Sequence, residues 1–112
     1  MSTSQVTTHI LDTAAGRPAP GVDVALARLD GGTWTPVGNG TTDADGRVGS
    51  LGPEQVPPGT YRLTFGTGPY YERLGTPAFF PEVDLVFSVT GTEHYHVPLL
   101  LSPFAYSTYR GS

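Results

Sequence analysis

The chain contains no cysteine and no lysine. Without cysteine there is no disulfide framework and no thiolate zinc site. Without lysine there is no amine for Schiff-base chemistry. The six basic residues are all arginines, set against ten acids for a net charge of −4. Nucleic-acid binding needs a concentrated positive patch, so the balance argues against that class of partner. Long apolar runs are missing too, and none approaches the ~20 residues that a membrane-spanning helix requires. The start, "MSTSQVTTHILD", lacks a basic segment followed by an apolar one, so no signal peptide is expected. These absences fit a cytoplasmic location.

What remains is a chain of 112 residues, 38% of them hydrophobic. That length suits one modest core, so residues 1–112 are expected to form a single domain. Fifteen glycines and eleven prolines punctuate short segments rich in Val, Leu, Thr, Tyr and Phe. This rhythm predicts an all-β sandwich or barrel.

The alternation of apolar residues fixes the segments. Gln5 to Asp12 reads as a first strand, with Thr8 and Ile10 on one face and His9 on the other. "TAAGRPAPG" is a loop. Val22 to Leu29 turns Val22, Val24 and Leu26 inward. Thr33 to Gly40 is a strand whose Pro36 predicts an edge position, because proline cannot donate to a ladder. "DADG" is a turn with Gly46 able to take positive φ. Arg47 to Leu51 follows as a short extended piece. Gly59 to Phe65 presents Tyr61, Leu63 and Phe65 to one side. In "GPYYERLG", Pro69 marks the first turn of a short helix and Gly75 its end. Val83 to Val89 alternates again. His94 to Leu101 and Ala105 to Arg110 form a final pair around Ser102-Pro103. About eight strands with one short helix result, and short antiparallel connections favour two packed sheets.

Few residues can carry chemistry. The stretch "HYHVPLLLSP" holds two of the three histidines. On a strand, His94 and His96 share a face and Tyr95 takes the other. A pair on one face can bind a metal if two further ligands converge, and His9 is the only histidine left to help. The bland alternative is a pair of surface histidines. His9, alone, reads as a half-exposed strand residue. Arg47 directly follows the "DADG" turn and would ordinarily be solvated. It acquires a role only on a face shared with histidines, where a guanidinium can hold imide-type oxygens by paired hydrogen bonds. The terminal "YSTYRGS" should fray as chain ends do. Tyr106 and Tyr109 argue against that, since a solvated tail has no use for large aromatic surface.

The two ends of the chain carry a specific resemblance. "THILDTAAGRPAPGVDVAL" and "HYHVPLLLSPFAYSTYRGS" resemble the signatures of the 5-hydroxyisourate hydrolases, transthyretin-related enzymes of urate breakdown. Between them, "GTYRLTF", "PYYERLG" and "FFPEVDLVF" follow the family order of strand, short helix and strand. The middle pattern is similar to many prealbumin-like modules and marks only a β-sandwich. The C-terminal "YRGS" is the feature that separates the hydrolases from transthyretin itself.

The resemblance implies a transthyretin-like two-sheet sandwich and a homotetramer, a dimer of dimers with its sites at the dimer–dimer interface. Residue by residue, it puts the catalytic set on His9, Arg47, His96 and Ser112. It gathers His9, Arg47, Tyr109, Arg110, Gly111 and Ser112 around the substrate. It gives His94 no chemical role, and it implies neither a metal nor a cofactor. The expected partner is a small molecule, 5-hydroxyisourate, with no nucleic acid and no membrane.

Overall fold

In β6 (Gly59–Phe65) every second side chain disappears from solvent: Tyr61, Leu63 and Phe65 are fully buried. The computed structural model, which describes residues 4–111, places β6 in the middle of an antiparallel sheet. Beside it lies β4 (Asp23–Asp30), with Val22, Val24 and Leu26 turned inward as the alternation predicts. Outside β4 is β5 (Thr33–Thr41), and outside β6 is β7 (Val83–Val89). Pro36 sits on β5, which is an edge strand as expected. The β4–β5 register shifts between Leu26 and Ala27, which pair with Gly38 and Pro36. Val37 is the extra residue of this bulge, and the bulge twists the edge away from further pairing.

The second sheet is built from the chain's two ends. Its strands are β2 (Ile10–Asp12), β3 (Arg17–Pro18), β9 (Leu99–Leu101) and β10 (Tyr106–Thr108), in the order β10-β9-β2-β3. β2 and β9 run parallel, in register Ile10 to Leu99. The same pair of chain segments begins further up as a two-stranded parallel ladder, β1 (Val6–Thr7) against β8 (Tyr95–His96). Ile10, Leu99 and Leu101 from this layer meet Val24, Leu26, Leu63 and Phe65 from the other in one core. At ~25 cal/mol per Å² of apolar surface removed from water, this contact between sheets is the main force closing the sandwich.

The described residues hold ten strands rather than about eight. The expected strands Gln5 to Asp12 and His94 to Leu101 are each cut in two at the same level. There the Thr8 hydroxyl donates to the Val97 carbonyl at 2.6 Å, while the Val97 and Leu99 amides still donate to the Thr7 and His9 carbonyls. The "TAAGRPAPG" loop contains β3, held by pairing of Asp12 with Arg17 and Leu11 with Pro18. Arg47 to Leu51 is not a strand; only Arg47 makes a bridge, to His9.

The one helix among the described residues, α1 (Thr67–Arg73), starts two residues before Pro69 and is closed past its Leu74 cap by Gly75, whose φ of 66° only glycine adopts freely. Tyr70 and Tyr71 face the core. Tyr70 Oη donates to Asp12 Oδ2 at 2.7 Å, and the backbone amides of Ala14 and Ala15 donate to Asp12 Oδ1. This buried carboxylate joins the end of β2 to the helix. Burial, then the hydrogen bond to Asp12, holds the Tyr70 phenol well above its ordinary range. No helix among the described residues is long and apolar enough to cross a membrane.

Candidate active site

Four distant stretches of sequence reach one face of the second sheet. The register shows how. Along 6–12, even-numbered residues are buried, whereas Thr7 and His9 are half-exposed on the opposite face. Thr7 is the partner of His96 in the parallel ladder, and paired residues project to the same side. Arg47 bridges to His9, and Gly111 bridges to His96. Laterally, then, the face reads Arg47, then Thr7 and His9, then His94 and His96, then Gly111.

Each neighbour is fixed by backbone contacts. Arg47 is presented by the "DADG" turn. Asp43 Oδ1 accepts the amides of Asp45 at 2.9 Å and Arg47 at 3.0 Å, and the Asp43 amide donates to the Arg47 carbonyl. Gly46 has a φ of 74°, and its missing side chain lets the turn lie against the Ile10 carbonyl. The Ile10 amide in turn donates to the Gly46 carbonyl at 2.8 Å. Any side chain at Gly46 would lift the turn, and Arg47 with it, away from His9.

On the other flank the Gly111 amide donates to the His96 carbonyl at 2.8 Å. Gly111 packs on the imidazole itself: a Cβ there would stand 2.6 Å from His96 Cδ2. Arg110 does not join the row. Its guanidinium lies 3.5 Å from Glu93 and 4.4 Å from the centre of the Tyr95 ring. Tyr95 is buried on the far side of the strand from His96, with its hydroxyl accepting the amides of Thr90 and Gly91. Arg110 therefore anchors the tail to the strand that carries His96. Tyr109 is exposed beside it, at the mouth of a cavity of about 420 Å³ between β7 and the C-terminal segment. Ser112 lies outside the described residues.

His96 is half-buried and its pKa is lowered, first by burial and then by the positive charge of His94, Arg47 and His9 around it. A lowered pKa keeps the imidazole neutral near pH 7, which is the form that accepts a proton. His94 Nε2 and His96 Nδ1 both lie 2.8 Å from the Thr7 hydroxyl, and their ring centres are 6.2 Å apart. The pair thus closes on a threonine. Among the described residues no group of three or more His, Asp or Glu side chains is arranged to hold a metal ion. The sequence alone did not single out Thr7. Its spacing from His9 puts both on one face, but nothing local to Thr7 announces a partner almost ninety residues away.

The sequence pattern of the HIUase/Transthyretin family matches residues 6–111. The chain belongs to that family. The 5-hydroxyisourate hydrolase of Salmonella dublin is 52% identical over 106 residues, spanning 93% of this chain and 78% of that one. The mouse protein of the same name is 48% identical over 113 residues, spanning 97% and 96%. Among solved structures, Klebsiella pneumoniae 5-hydroxyisourate hydrolase matches with a TM-score of 0.85 at 38% identity, over 96% of this chain and 98% of that one. Sea bream transthyretin in complex with thyroxine matches with 0.91 at 36%, over 96% and 94%. The backbone therefore resembles a hydrolase and a thyroxine binder about equally well. Side chains have to distinguish the two.

Proposed function

We propose that the chain hydrolyses 5-hydroxyisourate to 2-oxo-4-hydroxy-4-carboxy-5-ureidoimidazoline, a step of urate breakdown, using the row Arg47, His9, His96 and the C-terminal residues. The observation that carries this reading is the convergence of His9, Arg47 and His96, through the His9–Arg47 bridge and the parallel Thr7–His96 pairing, on a chain 52% identical to a named hydrolase.

Water adds to a ring carbonyl and the ring C–N bond breaks. His96, held neutral by its surroundings, takes the proton from the attacking water. The carbonyl π electrons move onto oxygen, where the Arg47 guanidinium counters the charge. When the tetrahedral carbon collapses, the C–N electron pair leaves with nitrogen and His9 delivers a proton to it. Ser112 assists His96 in orienting the water. No metal or cofactor enters this sequence of steps.

The functional unit is a homotetramer, a dimer of dimers. In a single chain the row is an open sheet face, with His94 and Arg47 exposed. Phe79, Phe104, Tyr106 and Tyr109 are also exposed, and β7 and β10 are free sheet edges. Association would cover this apolar surface and turn the open face into a narrow, drier slot in which the charges act more strongly. Residues 1–112 act as one domain, and the cytoplasm suits a chain without cysteine.

The test is direct. Turnover of freshly generated 5-hydroxyisourate is measured against its spontaneous decay. Catalysed ring opening is expected. Decay at the uncatalysed rate would leave the second reading, a carrier of small aromatic ligands, which the likeness to thyroxine-bound transthyretin favours.

A further inference from the structure

The Thr7 hydroxyl is shared by two imidazoles, at 2.8 Å from each. A hydroxyl carries one proton and can donate only once. With both rings neutral, two arrangements fill both contacts. In the first, His96 carries its proton on Nδ1 and donates it to Thr7, and Thr7 donates to His94 Nε2. In the second, His94 donates from Nε2 to Thr7, and Thr7 donates to His96 Nδ1, which leaves the His96 proton on Nε2. If both rings donate, the hydroxyl proton has no acceptor among the described residues. If both accept, one lone pair faces another.

The two arrangements differ chemically. Only the first leaves His96 Nε2 bare and able to take a proton. We propose that Thr7 is a positioning residue for the reaction: its hydroxyl, backed by His94, holds His96 as the Nδ1–H tautomer with Nε2 free. This rests on the reading of His96 as the base. The contact also survives proton transfer. Once Nε2 is protonated, Nδ1–H still donates to Thr7, now from a cation, which strengthens the bond. Fixing a tautomer through the far nitrogen is worth a great deal in other histidine bases.

His94 gains a role by the same count. It is exposed to solvent. When protonated, it must donate from Nε2 to Thr7. The hydroxyl then turns its own proton to His96 Nδ1, and His96 is left in the form that cannot accept one. The protonation state of His94 therefore bears on the His96 tautomer through Thr7. It does so in addition to the direct effect of its charge and of the charges of Arg47 and His9, which also face His96.

The register supports a built contact. Thr7 and His96 are ladder partners, and the Val97 amide donates to the Thr7 carbonyl at 2.9 Å. The ladder sets the Thr7 Cα opposite that of His96, which keeps the hydroxyl within reach of the ring.

The experiment compares wild type, Thr7→Val and Thr7→Ser. Long-range ¹H–¹⁵N spectra of the folded proteins give the tautomer of His96 directly, and kinetics give kcat and KM. Wild type should show the proton on Nδ1. Thr7→Val keeps the shape and removes the hydroxyl; the proton should move to Nε2 and kcat should fall ~10²-fold with KM little changed. Thr7→Ser should restore both. A His96 proton on Nε2 in wild type, or an Nδ1–H tautomer retained in Thr7→Val, would overturn the proposal. The tautomer is read without substrate, so it decides Thr7 even if wild type fails to open 5-hydroxyisourate, an outcome that would sink the proposed function instead.

Discussion

Gly111 and His96 are bridge partners, and the glycine lies directly against the imidazole ring. The last described residue of the chain is thus part of the wall that holds the proposed base. A methyl group at Gly111 would stand 2.6 Å from His96 Cδ2, closer than carbon atoms approach. Gly111→Ala should push either the ring or the tail aside. Displacement of a reacting group by about 1 Å costs on the order of 10²-fold. We expect a loss of that order in kcat, with thermal unfolding almost unchanged because the site is peripheral to the core. Wild-type turnover in Gly111→Ala would show that the tail does not position His96.

Replacing His96 itself removes the base. His96→Asn should lower kcat by about 10²–10⁴-fold. The circular dichroism spectrum and the oligomeric state should stay as in wild type. Near-normal turnover in a folded variant would remove His96 from the chemistry.

The pH profile tests the electrostatics. Burial and the nearby positive groups lower the His96 pKa, so the acid limb of kcat/KM should lie below the ordinary histidine value of about 6.5. Arg47 contributes by repelling the imidazolium. In Arg47→Gln that repulsion is gone, the His96 pKa rises, and the neutral base is lost at a higher pH. The limb should therefore move upward in the variant, alongside a lower plateau. A limb that moves downward or stays fixed would contradict the arrangement.

A fourth outcome concerns stability, away from the site. Asp12 is 2% exposed and accepts three hydrogen bonds, one from Tyr70. Tyr70→Phe leaves this buried carboxylate short of a donor. Such a loss costs about 1–3 kcal/mol, more for a charged group than for a neutral one. Chemical denaturation should show it as a lower midpoint with an unchanged slope. A midpoint equal to wild type would mean that water replaces the phenol.

Much of this was legible in the residues. The predicted bounds of β6 and β7 are the observed ones, because strict alternation of Tyr61, Leu63 and Phe65, and of Val83 and Val89, admits only one inward face. Pro36 gave away the edge strand, Gly46 takes the positive φ expected of it, and Gly75 closes the helix as predicted. What sequence order hides is lateral pairing. Nothing in "TTHILD" says that it lies parallel to "HYHVPLLL", so Thr7 could not be matched to His96. The pairing of Tyr70 with Asp12 spans 58 positions and is equally invisible. Arg110 is a third case. The resemblance groups it with the substrate, and the fold adds contacts with Glu93 and Tyr95 that no sequence pattern announces.

The parallel ladder has a kinetic meaning as well. Val6 meets Tyr95 only after nearly the whole chain has been drawn into a loop, and closing such loops is entropically slow. The antiparallel β4–β7 sheet can form beforehand from neighbours in sequence. Activity consequently cannot precede the final closure: a half-folded chain has a sheet but no row of histidines. The regain of turnover during refolding is therefore a clock for the meeting of the chain's two ends.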